Sequence, residues 1–577
     1  MNQKYAVPYA ASAPMGGVTL RGGRLGKAFE NNIAFLKGFE LDRMMYYYRV
    51  HAKKAAPSVP YAWQSGHFEI NLKGQTAGEF LSGACTSLLW VDDPELRAKA
   101  DAVVAEIDAC KDDDGFIMPI TRDEFHTKEY PNYTRAWITF GLLDAGYAGN
   151  ARAFELARSM TDYFNTCDLL PYVKDMNLGF QGILVGTRVY DSPVGKRDDI
   201  DVCEKYYRET WWLEQLLEDN HRAIYQHPGN HPHSTLLTTL EGYCDLYRAT
   251  GNELYINAVR HALRMYEDKW QHVGGGINMC EDDTYYPGCN WLSMRHNYNE
   301  LCSTNFWVLL NQRMHLLEPD NAHYVDEMEN SIYNVLLAAQ VEDRGFHYLN
   351  FLEGGKDARW QDRCTCCASL GTRLVGLLPQ MLYTTCGNTV YADIYAPSEA
   401  ELNIASGRVK LACETDIPDG GHVKIEVQEA AAPFTLKVRI PRWAAEPVRI
   451  LVNGEEVAGA PCGYVALDVK AGDVIEFTVP MRFKVTRYTG GEELVGAQRY
   501  ALEYGPLLYA AMGPSIVHVN WDVEHPEDEF EFIPGEKRKM RMKHDNAHEY
   551  WAYIDIADEP FSVYPVVGSR DLSTAFP

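Results

Sequence analysis

Residues 94–110 read PELRAKADAVVAEIDAC, and this stretch decides the fold class of the first two thirds of the chain. Its apolar residues fall on one face of a helix with about 3.6 residues per turn. They are Leu96, Ala100, Val103, Val104 and Ile107. Pro94 stands at the first helical position, where a missing N–H group costs little. The stretch therefore predicts an amphipathic helix that begins at Pro94.

Similar helical units recur along the chain. They begin at Gly149 (GNARAFELARSMTDYF), Gly251 (GNELYINAVRHALRMYED) and Asp320 (DNAHYVDEMENSIYNVLL), and each follows an apolar helix that ends in a short turn. Repeated helical hairpins with their turns on one rim indicate a toroid of paired helices. Because their spacing is irregular, an (α/α) barrel fits better than a short-period solenoid. We predict this barrel over residues 1–388.

Beyond about residue 386 the pattern changes to strict alternation. HVKIEVQE, FTLKVRIPRW and DVIEFTVPMRF all have the period of strands and are bounded by Gly, Pro or Asp turns. The Asn453-Gly454 pair in VNGEEV predicts a tight hairpin. Strands at such short spacing favour a β-sandwich, which we predict over residues 389–490. Residues 491–577 are expected to form a second β-rich domain or an extension of the sandwich, with the charged stretch 524–544 as an exposed excursion.

Composition narrows the classes of partner. The 577 residues carry 80 Asp and Glu against 54 Lys and Arg, a net charge of -26. That field repels a polyanion, so no nucleic acid is expected to bind. No apolar run approaches the roughly 20 residues that a membrane helix needs. The first residues do not have the pattern of a signal peptide, so the expected location is the cytoplasm.

The cysteines point to chemistry rather than to disulfides. In a reducing compartment, a cluster among the 14 cysteines is better explained by metal binding or catalysis. Cys364-Thr-Cys366-Cys367 places three sulfurs within four residues, and neighbouring thiolates repel each other unless a cation such as zinc neutralises them. Glu300-Leu-Cys302 is the best candidate for the remaining ligands. The alternative is a set of ordinary buried cysteines beside a surface glutamate.

A second candidate is a glycine-rich turn that leads into acids. Gly274-Gly275-Gly276 is followed by Glu281, Asp282 and Asp283. Glycines allow a backbone to approach a ligand closely, and an acid just beyond them can act as a general acid/base. The alternative is a solvated acidic loop.

In these motifs the chain resembles the bacterial β-L-arabinofuranosidase family, whose members are zinc-dependent glycoside hydrolases with a cysteine nucleophile. The resemblance covers most of the chain, from LKGQTAGEFLSGACTSLL at Leu72 to the EYGPLL segment around Gly505. Its most specific part is an ordered set of motifs. These are Glu300-x-Cys302, Tyr348-x-Asn350 and Cys364-x-Cys366-Cys367.

The resemblance implies an N-terminal (α/α)6 barrel followed by antiparallel β-sandwich domains. It also implies Zn²⁺ as cofactor and Cys366 as the nucleophile. The implied zinc ligands are Glu300, Cys302, Cys366 and Cys367. For the acid/base we choose Glu281, with Asp283 as the alternative.

Three further residues are expected in the sugar site. Tyr348 resembles the family tyrosine near the nucleophile, His233 is a partial match to a family histidine, and Trp137 stands near a position where the family has histidine. We expect a retaining glycoside hydrolase that cleaves terminal sugars from plant-type oligosaccharides, with a homodimer as one option for its assembly. The alternatives are a sugar epimerase or lyase on a similar barrel, and a non-catalytic carbohydrate-binding zinc protein.

Overall fold

A computed structural model describes most of the chain, with helices first and sheets after them. The described residues are 4–61, 72–122, 129–167, 179–224, 234–277, 298–342, 344–352, 365–445, 447–458, 462–488, 497–512, 521–544, 549–556, 563–564 and 566–570. Within these ranges, no helix combines the length and the apolar character needed to cross a membrane.

The helices dominate the first 380 residues. In chain order they are α1 (Gly23–Lys37), α2 (Leu41–Met44), α3 (Tyr46–His51), α4 (Gln75–Leu88), α5 (Pro94–Cys110), α6 (Glu129–Tyr147), α7 (Ala151–Asn165), α8 (Leu184–Asp191), α9 (Arg197–Val202), α10 (Thr210–Leu217), α11 (Leu236–Thr250), α12 (Glu253–Lys269), α13 (Leu301–Leu317), α14 (His323–Ser331), α15 (Leu337–Ala339), α16 (Cys366–Leu377) and, in the last part of the chain, α17 (Pro526–Glu529).

The helix predicted from residues 94–110 is confirmed as α5. Asp93 caps it, because its side chain accepts a hydrogen bond from the Leu96 amide at 3.0 Å. The apolar face is buried, and Pro94 occupies the first turn as expected. Local chemistry alone therefore sets where this helix begins and which side it buries.

Glycines let three helices approach one another unusually closely. A side chain at Gly78 of α4 would come within 2.5 Å of the Trp137 backbone in α6, and one at Gly141 would come within 2.4 Å of the Gly78 carbonyl oxygen. On the other side of α4, a side chain at Gly376 of α16 would meet Thr86 at 2.4 Å. Helices α6, α4 and α16 therefore form a tight group, in which α4 and α6 pack backbone to backbone and Gly376 of α16 makes room for side chains of α4.

Within the described ranges, the strands form three sheets and two short ribbons. In chain order they are β1 (Ala11–Ser12), β2 (Val18–Leu20), β3 (Tyr298–Glu300), β4 (Gln340–Val341), β5 (Gly345–Phe346), β6 (Leu349–Phe351), β7 (Tyr383–Cys386), β8 (Thr389–Ala392), β9 (Ser398–Ile404), β10 (Gly407–Thr415), β11 (His422–Ala430), β12 (Phe434–Ile440), β13 (Arg449–Val452), β14 (Glu455–Ala458), β15 (Gly463–Val469), β16 (Val474–Thr478), β17 (Phe483–Tyr488), β18 (Ala497–Tyr504), β19 (Leu507–Met512), β20 (Phe530–Phe532), β21 (Lys539–Met542), β22 (Glu549–Ala552), β23 (Val563–Tyr564) and β24 (Val566–Arg570).

The first two sheets combine strands from the start of the chain with strands within residues 383–478. The five-stranded sheet has the order β1-β7-β8-β12-β15, and the seven-stranded sheet has the order β14-β13-β16-β11-β10-β9-β2. Their edge strands β1 and β2 precede the first helix, so the N-terminal segment ties the helical region to the sheets. The hairpin predicted in VNGEEV is confirmed between β13 and β14, where Asn453 and Gly454 both have positive φ.

The third sheet corrects one expectation. Its main order is β17-β18-β19-β22-β21-β20, with β23 and β24 pairing on β19 and β18. The charged stretch 524–544 is not an exposed excursion, because it supplies β20 and β21, in which Phe530, Met540 and Met542 are buried. Charged residues alternate with buried apolar ones along these strands. Because the charged residues dominate the composition of the stretch, the composition alone predicts an exposed segment.

A buried ion cluster joins the helical region to the five-stranded sheet. Arg439 of β12 is fully buried and reaches two carboxylates of α14, with Nη1 2.5 Å from Asp326 and Nη2 2.5 Å from Glu329. Its Nε donates to the Asp393 carbonyl oxygen at 2.6 Å. Burial raises the pKa of Asp326, so this carboxylate depends on the arginine for its charge.

Arg439→Met is expected to lower the free energy of unfolding by about 3–5 kcal/mol, because it leaves two buried carboxylates without their cation. The matched control is Arg449→Met, which removes an exposed pair with Glu456 and should change little. Differential scanning calorimetry of both variants checks this. Equal unfolding temperatures for the two variants would show that the ion cluster does not hold the junction.

Candidate active site

Two helix N-termini meet at the predicted cysteines. Cys302 is the second residue of α13, and Cys366 and Cys367 are the first two residues of α16. Thr365 caps α16, with its hydroxyl accepting from the Ala368 amide at 3.0 Å. The positive end of each helix dipole therefore faces the thiols, which favours their anionic forms.

The three thiols form a compact buried cluster. Their Sγ atoms all lie within 4.8 Å of one another, and those of Cys302 and Cys367 are 2.9 Å apart. A disulfide would require about 2.05 Å. Cys367 is fully buried and Cys302 is 3% exposed, whereas Cys366 is 7% exposed. Cys366 is thus the thiol with the most access from outside.

A short ribbon carries the other predicted ligand. Glu300 is the last residue of β3 and directly precedes α13, and β3 pairs with β6 so that Glu300 lies opposite Leu349. Burial, the Cys366 thiol and the Glu300 carboxylate together raise the pKa of Cys367 well above its ordinary value. The Glu300 carboxylate is thus an electrostatic neighbour of the cluster, although the group of mutually close ligand atoms consists of the three sulfurs.

The same ribbon positions Tyr348. The Cys366 thiol donates to Tyr348 Oη over 3.5 Å. Asn350, two residues further on, is fully buried, and its Nδ2 donates to the Val335 carbonyl oxygen at 3.2 Å. In the Tyr348-x-Asn350 motif, the tyrosine therefore contacts the cluster and the asparagine anchors the ribbon.

Two residues that sequence reasoning missed complete the surroundings of Cys366. Glu79 of α4 is 3% exposed, and burial, with a contribution from Cys366, raises its pKa to about 8 against hydrogen bonds from Gln75 and Ser369. Tyr133 of α6 has a pKa raised by burial and by Cys366 and Cys302. The available signal for Glu79 was a lone charge inside the apolar run AGEFLSGAC, since a glutamate is rarely buried unless it has a partner or a functional role.

The glycine turn reaches this site as well. A side chain at Gly276 would collide with Asn299 at 2.1 Å, and Asn299 precedes Glu300. Gly274 and Gly275 have positive φ, and Ser331 Oγ donates to the Gly275 carbonyl oxygen at 2.9 Å. The chain that continues toward the predicted acids therefore leaves from beside the ligand ribbon.

Among the other predicted residues, Trp137 is described by the structure and the rest are not. Trp137 is fully buried on α6, one turn beyond Tyr133, and its ring lies 5.8 Å from that of Phe180. Its role in sugar binding stays a prediction. Glu281, Asp283 and His233 lie outside the described residues, as does Cys364.

The donor set fits a soft divalent cation. Burial raises the pKa of Cys302 well above its ordinary value, and hydrogen bonds with Cys366 and Cys367 raise it further. Three thiols cannot all be anionic in such a place without a positive charge between them. Sulfur ligands with one carboxylate are a donor set that zinc accepts in four-coordinate sites.

Comparison with known proteins identifies two family domains in this chain. Residues 17–380 match "Beta-L-arabinofuranosidase, GH127 catalytic domain", and residues 389–481 match "Beta-L-arabinofuranosidase, GH127 middle domain". The first match alone covers more than half of the chain and contains the whole cysteine cluster.

Individual relatives agree with this. A non-reducing end β-L-arabinofuranosidase of Bifidobacterium longum subsp. longum is 28% identical over 506 residues, which are 75% of this chain and 74% of that protein. A solved GH127 β-arabinofuranosidase has a TM-score of 0.79 at 19% identity, over 100% of this chain and 99% of its own. A GH127 β-L-arabinofuranosidase from Geobacillus stearothermophilus T6 has a TM-score of 0.76 at 16% identity, over 96% and 99%.

Protein purified without added metal is expected to contain close to one zinc per chain, and Cys367→Ser is expected to lose most of it because a hydroxyl is a poor zinc ligand. Elemental analysis by mass spectrometry measures both. Cys203→Ser is the matched control, since Cys203 is equally buried but donates to the Gly182 carbonyl oxygen. Equal metal content in the two variants, or no metal in the native protein, would show that the cysteine cluster does not bind zinc.

Proposed function

The chain belongs to the GH127 family of β-L-arabinofuranosidases, and on that premise we propose that it is a retaining glycosidase whose nucleophile is Cys366. Membership makes the protein a glycoside hydrolase. The nucleophile, the metal and the exact sugar are our proposals. The observation that carries them is the buried group of Cys302, Cys366 and Cys367 at two helix N-termini.

Exposure favours Cys366 over the other two thiols as nucleophile. It is the most exposed of the three, and its sulfur lies against Tyr348, which is also 7% exposed. Cys302 and Cys367 stand behind it at 2.9 Å from each other. A sugar that enters from the Tyr348 side meets Cys366 first.

Glu300, Cys302, Cys366 and Cys367 would hold zinc. When bound, the ion supplies the positive charge that allows buried thiols to be anionic near neutral pH. Cys302, Cys367 and Glu300 then serve as ligands only. Tyr348 holds the Cys366 sulfur in position by hydrogen bonding.

The proposed reaction has two displacement steps. In the first, Cys366 Sγ forms a bond to the anomeric carbon while the glycosidic C–O bond breaks, and Glu281 gives its proton to the leaving oxygen. In the second, Glu281 takes a proton from water, whose oxygen bonds to the anomeric carbon as the C–S bond breaks. Two inversions give net retention. The path of Gly276 past Asn299, beside Glu300, supports an acid/base from this loop, with Asp283 as the alternative.

The proposal also includes the domain boundaries and the residues of the sugar site. We assign residues 1–388 to an (α/α)6 barrel, residues 389–490 to a β-sandwich and residues 491–577 to a second β-rich unit. Trp137 and His233 are assigned to the sugar site together with Tyr348.

The proposed substrates are glycosides with a terminal β-L-arabinofuranose or a similar sugar, as in plant-type oligosaccharides. Support comes from the Bifidobacterium relative, which is named for action at a non-reducing end. An epimerase or lyase would use histidines or a tyrosine instead of a thiolate, and a carbohydrate-binding zinc protein would need no acid. Release of free sugar from an aryl glycoside separates the proposal from both alternatives.

Cys366→Ser is expected to lower kcat on an aryl β-L-arabinofuranoside by about 10³-fold or more, because a serine hydroxyl is a far weaker nucleophile than a thiolate. Cys203→Ser serves as the control for a buried cysteine outside the cluster, and circular dichroism checks that both variants fold. Parallel assays on aryl α-L-arabinofuranosides and aryl pyranosides define the sugar. Wild-type rates for Cys366→Ser would exclude this thiol as nucleophile.

A further inference from the structure

A second polar cavity lies at the opposite end of the helices that carry the cysteine cluster. It has a volume of 440 Å³, and we call it the far cavity. The side chains that matter for its chemistry are Tyr9, Asp144, Glu241, Arg248, Arg313 and Arg373.

Helix geometry fixes the separation of the two sites. Cys302 and Arg313 are both on α13, and their eleven-residue spacing corresponds to about 16 Å along the helix axis. On α6, Tyr133 lies near the cluster while Asp144 lines the far cavity. On α16, Cys366 and Arg373 divide in the same way.

Aromatic rings lie between the two sites along these helices. Phe306 is one turn beyond Cys302 on α13, and Trp137 is one turn beyond Tyr133 on α6. The ring of Phe180 lies 5.8 Å from each of the Phe306 and Trp137 rings. All three rings are buried and border the far cavity. The three rings therefore line the far cavity on its side toward the cysteine cluster.

The charges of the far cavity balance one another. Four arginines and four carboxylates line it, and each contacts an opposite charge. The pairs are Arg188 with Asp144 at 2.9 Å, Arg373 with Asp144 at 3.4 Å, Arg313 with Glu241 at 2.6 Å and with Asp245 at 3.2 Å, and Arg248 with Asp191 at 2.9 Å. An anion or cation entering this space would have to displace one member of an existing pair. A neutral ligand can bridge the pairs without displacing them.

Some polar atoms of this lining lack a protein partner. Among the described residues, Glu241 Oε1, Tyr9 Oη and Arg248 Nε are buried and have no hydrogen-bond partner. Glu241 itself is 1% exposed. Buried polar groups are normally satisfied by protein, water or ligand, so three such atoms around one cavity indicate an occupant that hydrogen-bonds.

We propose that the far cavity binds a neutral monosaccharide or disaccharide. Each sugar hydroxyl both donates and accepts, so it can satisfy a carboxylate oxygen and an arginine N–H at once. The Tyr5 and Tyr9 rings, whose centroids lie 3.7 and 4.4 Å from the Arg248 guanidinium, also line the far cavity and add apolar surface for the C–H side of a sugar ring. The volume lies within the range of about 300–1,000 Å³ typical of small-molecule sites.

Titration calorimetry on the full-length protein tests this. The probes are L-arabinose, D-xylose, D-galactose and sucrose as neutral sugars, with glucuronate and glucosamine as charged ones. Tyr9→Phe is expected to weaken neutral sugar binding roughly fivefold, through loss of one hydrogen bond. Tyr324→Phe is the matched control, because Tyr324 Oη bonds Glu318 outside the far cavity.

A second variant guards against an uninformative result. Met15 borders the far cavity but is 53% exposed, so Met15→Trp should fold and narrow the entrance, weakening binding at least tenfold. A crystal soaked with the tightest sugar should show it beside Tyr9. The proposal is overturned if both variants bind sugars as the native protein does, if the soaked sugar lies only at the cysteine cluster, or if the charged probes bind more tightly than the neutral ones.

Discussion

Three buried thiols can be anionic together only around a shared positive charge, and the proposed metal site depends on this constraint. Burial raises the pKa of Cys302 and Cys367, whereas the two helix N-termini at the cluster favour thiolates. A helix end contributes only a fraction of a charge. The divalent cation that we propose would reconcile the opposing tendencies, with Glu300 as the proposed oxygen ligand beside the three sulfurs.

The fold brings these groups together by backbone contact. Gly78 and Gly141 let α4 and α6 pack backbone to backbone, and Gly376 leaves room for the Thr86 and Ser87 side chains where α16 meets α4. This packing brings Glu79 and Tyr133 near Cys366. The same helices continue past an aromatic layer to the far cavity. These helices thus carry the cysteine cluster near one end, aromatic rings in their central turns and paired arginines and carboxylates near the other end.

Much of this could be predicted from periodicity and spacing. The helix from Pro94 and the Asn453-Gly454 hairpin follow from local signals, and the cysteine cluster follows from its spacing together with the family resemblance. The strands in 524–544 were missed because exposed charges alternate with buried residues there. Glu79 and Tyr133 were missed for a different reason. Nothing in their own segments predicts that they lie near Cys366, since that proximity depends on how three distant helices pack. The roles of Glu281 and His233 stay predictions.

The most direct test of the account is the mass of the enzyme during turnover. Glu281→Gln should still be glycosylated by an aryl β-L-arabinofuranoside with a good leaving group, because that step then needs little acid help, but it should lose its sugar slowly. Intact and peptide mass spectrometry after acid quenching should show one pentosyl group on Cys366, with no such accumulation in Asp283→Asn. Turnover of the aryl glycoside without any adduct, or an adduct on a carboxylate or on a different cysteine, would contradict the account.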